Sequence, residues 1–321
     1  MRIKSIEELW LSPPEDVNCV IEPGLLPTGG IMVVIGEPGI GKSFLVQQMA
    51  FEIATGRRLI GIFPCKRKKV AYFELEKRSP ISRRRFKDEE WQKEYPGATY
   101  SLGFYDDTIP RLDTDKGAKL FKDAVEDFGC KVVIVDSFSV TLEDEIELSS
   151  QKRTILKYRE IAKDLKLSFI LIQHLVKRGI VYDPKTSQYK EPPLRLDDMR
   201  GSKYMEYEVD TVMGLVHGKS KGIRQLGFLK HSFSPIQLSE EQPLLVTFTG
   251  SKAVPFNPLD TNMPRILSVI DKEGPLKFAE LESRAGISRP TFLRAKDTLI
   301  SLGLVEEINI GRDKMLNSLF S

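Results

Sequence analysis

The stretch Ile31-Met-Val-Val-Ile-Gly-Glu-Pro-Gly-Ile-Gly-Lys-Ser43 decides the fold. Its apolar, β-branched start predicts a buried strand, and its glycines predict a tight loop opening a helix. Gly36, Gly41, Lys42 and Ser43 satisfy the spacing of a phosphate-binding P-loop. Gly36, Gly39 and Gly41 carry no Cβ, so backbone N–H groups can close around a phosphate chain. Lys42 would reach the outer phosphates of ATP, and Ser43 would offer its hydroxyl to Mg²⁺ at the helix start. Glu37, Pro38, Ile40 and Phe44 complete the expected nucleotide-binding segment. Beyond it Leu45, Met49 and Ile53 recur at helical spacing, and Gly56 is placed to end the helix.

A chain of 321 residues can bury a sizeable core and predicts two domains. Its 48 basic residues nearly offset 45 acidic ones, so a nucleic-acid surface would have to be local. Cys19, Cys65 and Cys130 stand far apart without metal-site spacing, which argues against a disulfide framework and fits a reducing compartment. With no signal-like start and no long apolar run, the expectation is a cytoplasmic protein without a membrane span.

Working outward, residues 1–28 read as an N-terminal arm. Val70–Glu76 reads as a strand ending in two carboxylates, followed by a basic helical segment from Ile81 to about Lys93. A helix over Asp113–Phe128 would turn Leu120, Phe121, Val125 and Phe128 inward. Lys131–Asp136 and Leu167–Gln173 read as buried strands separated by a helix over Gln151–Leu165. Strands alternating with helices predict a mostly parallel sheet covered on both faces. Residues 176–199 form a polar stretch too long for a turn, and later strands near 209–216, 224–230 and 244–248 read as hairpins at the sheet edge. Residues 251–263, rich in proline, read as a linker. Residues 264–321 read as three helices and a β-hairpin, the sequence form of a winged helix-turn-helix. The ATPase domain would then span 29–250.

Asp136, ending an apolar strand after the P-loop, is the candidate acid for Mg²⁺. Ser137 follows it, where a neighbouring acid would have supplied the base, so the base must come from elsewhere. Glu76 is the first candidate and Glu74 the second, because parallel strands bring their C-terminal ends to the P-loop edge. His174, at the end of the next strand, could contact the γ-phosphate or serve the fold alone.

Together with Val20–Pro27, Arg200-Gly-Ser202 and Asp210-Thr-Val212, these motifs resemble the RecA-like ATPases, in particular the RepA/DnaB-type replicative helicases. The resemblance covers residues 18–250. It implies Glu76 as catalytic base, His174 as γ-phosphate sensor and ATP held between subunits of a homo-oligomer, with a hexameric ring as its fullest form. It further implies a central loop touching single-stranded DNA, and residues 176–199, with Lys177, Arg178, Lys185 and Lys190, stand where that loop would be. The family's late strand often gives the neighbouring subunit's ATP a lysine and an arginine. Lys230 matches the lysine, but His231-Ser232 follow it, leaving Lys230, Arg224 or Arg200 as intersubunit candidates.

The C-terminal segment lies outside that resemblance. Its third helix offers Arg289, Arg294 and Lys296 to duplex DNA, although such modules also dock proteins. Three readings follow: an ATP hydrolase acting on DNA as a helicase-like motor in replication, recombination or repair, an ATP-switched DNA-binding or regulatory protein with slow hydrolysis, and, more remotely, a small-molecule phosphotransferase.

Overall fold

The computed structural model describes residues 5–10, 18–76, 80–144, 147–175, 181–183, 188–190, 194–199, 202–218, 222–234, 243–250, 252–255, 258–310 and 313–320. The opening stretch forms β1 (Ile31–Gly36), which lies inside a nine-stranded sheet. Its partners in chain order are β2 (Val70–Glu74), β3 (Leu102–Tyr105), β4 (Val132–Asp136) and β5 (Ser168–His174). They are followed by β6 (Thr211–His217), β7 (Ile223–His231), β8 (Leu244–Thr249) and β9 (Lys252–Pro255). The order across the sheet is β9-β8-β7-β6-β1-β5-β4-β2-β3. Strands β6 to β3 in that order run parallel, and β7, β8 and β9 extend the sheet antiparallel.

The central strands are apolar throughout because both faces are covered. Met32 and Val34 join one buried cluster with helix α1 (Lys42–Thr55), while Ile31, Val33 and Ile35 join a second on the opposite face. That second face is covered by α2 (Asp115–Phe128) and α3 (Leu148–Leu165). In α1, Leu45, Met49 and Ile53 are fully buried, each contributing about 1.5–3 kcal/mol relative to exposure. Gly56 ends this helix at φ 74° and donates to the carbonyls of Glu52 and Ile53.

Several expectations are corrected. In α2 only Phe121 and Val125 of the four expected inner residues are buried; Leu120 is 52% and Phe128 36% exposed. Thr114, whose hydroxyl accepts from the Gly117 amide at 3.1 Å, sets the helix so that Gly117 and Ala118 turn inward instead. The basic segment after Glu76 is two short helices, Pro80–Phe86 and Glu89–Glu94, because the Asp88 side chain caps a new start. In the segment read as an N-terminal arm, Val20, Ile21, Leu25 and Leu26 are buried in the main core. The polar stretch contains a small ladder pairing Val181–Asp183 with Gln188–Lys190, and a bridge between Leu175 and Met199 ties its two ends together.

The proline-rich 251–263 segment does not act as a free connector in its described part. It supplies β9 and the first turns of helix α5 (Pro258–Glu273), with Pro264 inside the helix. Next come a short strand β10 (Leu276–Lys277), α6 (Phe278–Ala285), α7 (Arg289–Ser301), and a hairpin of β11 (Val305–Ile310) and β12 (Asp313–Ser318). The strands order as β10-β12-β11. Phe292, Ala295, Leu299 and Leu302 are buried, and Leu293 is half-buried against the same core.

This C-terminal module shares one apolar cluster with the face of the sheet that carries α1. Polar contacts reinforce the junction. The buried Gln48 amide on α1 donates to the Ala253 carbonyl at 3.1 Å and accepts from the Ala253 N–H at 2.8 Å. Arg58 makes two 2.7 Å bonds to the Asp271 carboxylate on α5. Beside them Glu52 accepts from Gln48 at 2.9 Å and from the Ile60 amide at 3.2 Å. Burial pushes the Glu52 carboxyl up to about 8.

Candidate nucleotide site

Sheet register assembles the site. Gly36 on β1 stands opposite His174 on β5, and Glu74 on β2 stands opposite Asp136 on β4. The P-loop, the strand-end histidine and the carboxylates therefore share the C-terminal edge of the parallel sheet, where ligands of such sheets bind.

The loop conformation needs its glycines. Gly39 and Gly41 have φ of 77° and 113°, outside the range open to most side chains. A Cβ on Gly36 would meet the Leu215 carbonyl oxygen at 2.5 Å. The loop is braced from the antiparallel wing: Arg224 Nε on β7 donates to the Ile40 carbonyl at 3.1 Å, and His217 Nε2 on β6 lies 3.9 Å from Glu37 Oε2. Lys42 is buried, its Nζ donating to the carbonyls of Gly36 at 2.8 Å and Glu37 at 2.9 Å. Phe44, just past the loop, has the Arg85 guanidinium 4.5 Å above its ring and the Phe248 ring 6.3 Å away.

Asp136 is 1% exposed. Burial raises its carboxyl above the usual range, while the neighbouring Ser43 and Tyr72 hydroxyls and the charge of Lys42 oppose that rise. Tyr72 donates its hydroxyl to Asp136 Oδ2 at 3.0 Å. Oδ1 is buried without a hydrogen-bond partner. An uncommitted carboxylate oxygen beside the Ser43 hydroxyl is a hard oxygen donor set, which suits Mg²⁺.

Glu76 lies beyond the end of β2, not within it. Its N–H and that of Leu75 both donate to the Asp136 carbonyl, at 3.1 and 2.7 Å, and this bends the chain across the sheet edge. Its Oε2 comes to 3.5 Å from His174 Nε2, with the two side chains 39% and 23% exposed. Glu74 is 2% exposed and sealed within the sheet. Of the two candidate bases, only Glu76 is open to a water molecule.

The remaining candidates separate. Lys230 Nζ donates to the carbonyls of Val209, at 2.7 Å, and Glu206, at the C-terminal end of helix α4 (Ser202–Glu208), so it is engaged within its own chain. Arg224 likewise contacts its own P-loop. In the C-terminal module Arg294 is exposed, and Arg289, 61% exposed, pairs with Glu282 at 2.8 Å. Lys296 is corrected as a surface contact: it is 8% exposed, bonded to Glu307 and 3.2 Å from Asp297. It alternates with exposed positions on an amphipathic helix, and its ammonium sits 5.1 Å from the centre of the Phe278 ring. Lys177, Arg178, Lys185 and Arg200 lie outside the described residues, as does the Lys190 side chain.

Sequence reasoning passed over Tyr72, Phe248 and the loop contact of Arg224. Tyr72 did carry a signal, since a tyrosine in a buried strand needs a partner for its hydroxyl. Contacts of Phe248 and Arg224 depend on strands distant in sequence and had none.

The chain is similar to known proteins. Residues 2–179 match the AAA_25 family, described as an AAA domain. Over 180 residues, 54% of this chain and 34% of the other, the sequence is 23% identical to the DNA repair protein RadA of Halalkalibacterium halodurans. The chain thus matches about a third of the length of that curated relative. A KaiC-like protein from the hyperthermophilic archaeon Pyrococcus horikoshii superposes with a TM-score of 0.50 at 17% identity, covering 74% of this chain and 94% of that one. The fold is that of a RecA-like P-loop NTPase.

Proposed function

This chain belongs to the AAA_25 family of AAA domains, and from that membership we propose that it is an oligomeric ATP hydrolase acting on DNA as a helicase-like motor. The observation that carries hydrolysis is Glu76 paired with His174 at the mouth of the P-loop, with Asp136 buried behind them. Lys42 and the loop amides bind the phosphates. Ser43 and Asp136 would hold Mg²⁺, which supplies charge neutralisation at the phosphates when bound. Glu76 takes the proton of the attacking water, and His174 orients Glu76 and reads the γ-phosphate. The C-terminal module, read as a winged helix, would present Arg289 and Arg294 to DNA. The relative named as a DNA repair protein supports DNA as the partner.

A second reading, an ATP-switched DNA-binding protein, is favoured by the Gln48–Ala253 contact that ties the P-loop helix to the strand entering the C-terminal module. It is favoured also by Lys230 and Arg224 being engaged in their own chain.

The deciding experiment measures ATP hydrolysis with and without single-stranded DNA, strand displacement on a forked duplex, and particle size with a non-hydrolysable ATP analogue. Stimulated hydrolysis with displacement and a nucleotide-dependent ring is expected of the motor. ATP-dependent DNA affinity without displacement would replace it with the switch.

A further inference from the structure

The contact between Tyr72 and Asp136 has no part in the roles assigned above. Tyr72 sits in the middle of β2, opposite Ile134 on β4, two residues before Asp136. It is 1% exposed. Its ring is fixed by Phe86, edge-on at a centroid distance of 4.8 Å, and by Phe104, stacked at 6.3 Å. The hydroxyl therefore cannot swing freely, and it meets Asp136 Oδ2 at 3.0 Å.

A buried carboxylate has about four acceptor sites and must fill them or lose solvation. On Asp136 the tyrosine takes Oδ2 and leaves Oδ1 without a hydrogen-bond partner. A free carboxylate rotor would scramble its two oxygens between those roles; a fixed donor on one oxygen dedicates the other. Partners that orient a ligating carboxylate raise metal affinity in this way, and losing one typically costs 10–100-fold.

We propose that Tyr72 is a positioning residue for the divalent cation: its hydroxyl locks the Asp136 carboxylate with Oδ1 turned to the cation that accompanies the nucleotide. This rests on the reading of Ser43 and Asp136 as the Mg²⁺ site. Phosphate binding by the loop amides and Lys42 does not pass through Tyr72.

The test compares the wild type with Tyr72→Phe, which keeps the ring and removes only the hydroxyl. A fluorescent ATP analogue is titrated with and without Mg²⁺, followed by the Mg²⁺ concentration giving half of the binding gain. The expected result is unchanged affinity without Mg²⁺ and a 10–100-fold higher Mg²⁺ requirement. The same substitution is made in an Asp136→Asn background, where no buried carboxylate is left short of a donor; there it should have no further effect on the Mg²⁺ requirement. An unchanged Mg²⁺ requirement in Tyr72→Phe overturns the proposal. So does an equal loss of affinity with and without Mg²⁺, which would mark Tyr72 as a packing residue. If the wild type itself gains nothing from Mg²⁺, or Asp136→Asn leaves that gain intact, the underlying metal assignment fails instead.

Discussion

His174 Nε2 lies 3.5 Å from Glu76 Oε2, joining the ends of two strands that are not neighbours in the sheet. Strand β4, ending at Asp136, runs between them. The Asp136 carbonyl draws the Glu76 backbone across that intervening strand, so the pair exists only because β2 bends there.

Glu76→Gln should retain ATP binding and lose turnover by about 10²–10⁴-fold, the usual contribution of a general base. Single-turnover hydrolysis and equilibrium binding of labelled ATP measure the two effects separately. Hydrolysis at the wild-type rate would remove Glu76 from the mechanism. Glu74→Gln, by contrast, should act mainly on stability, because Glu74 is sealed in the sheet.

His174→Ala should lower kcat by less than Glu76→Gln, since it removes an orienting partner and leaves the base. If His174 also reads the γ-phosphate, the variant loses discrimination between ATP and ADP. A ratio of ATP to ADP affinity equal to that of the wild type would argue against that role.

Glu52 predicts a pH dependence of stability. Its folded-state carboxyl sits near 8 against an ordinary value of 4.5, so the folded protein holds a proton that the unfolded chain releases. Its contribution to stability is fully present below about 4.5 and is lost as the pH rises through about 8. The slope for one proton is at most about 1.4 kcal/mol per pH unit. Glu52→Gln should flatten the fall in melting temperature across that window, measured by thermal denaturation at several pH values.

Lys296→Ala should destabilise the C-terminal module by about 1 kcal/mol, because it removes a packed side chain and leaves the partly buried Glu307 carboxylate without its partner. Arg294→Ala should leave stability within about 0.5 kcal/mol and reduce the salt dependence of DNA binding. Denaturation and DNA titrations at several ionic strengths separate the two. Equal loss of DNA affinity from both at full folding would return Lys296 to the binding surface.

The parallel half of the sheet was legible because its code is local. Apolar strands buried on both faces, glycines in the loop and acids at strand ends all announce themselves within a few residues. Of the antiparallel strands, β7 and β8 were legible as strands, but their service to the site was not: Arg224 reaches Ile40 across 184 positions of sequence. Lys296 misled for the opposite reason. A lysine in the middle of a surface helix reads as exposed, and only Glu307 on the hairpin and Phe278 on the preceding helix reveal where it turns. The segment read as a linker misled through its prolines. Pro255 ends an edge strand and Pro258 starts a helix, both positions that tolerate proline.

The Gln48 side chain offers one donor and one acceptor to a single residue, Ala253, at the seam between the two parts of the chain. A fragment ending at residue 250 would strip the buried Gln48 oxygen of its donor, leave the amide nitrogen bonded to Glu52 alone, and bare the side of α1 that β9 covers. The two parts are therefore expected to melt together in one calorimetric transition. Trimming the chain to its nucleotide-binding portion should yield an aggregating product, not a minimal enzyme.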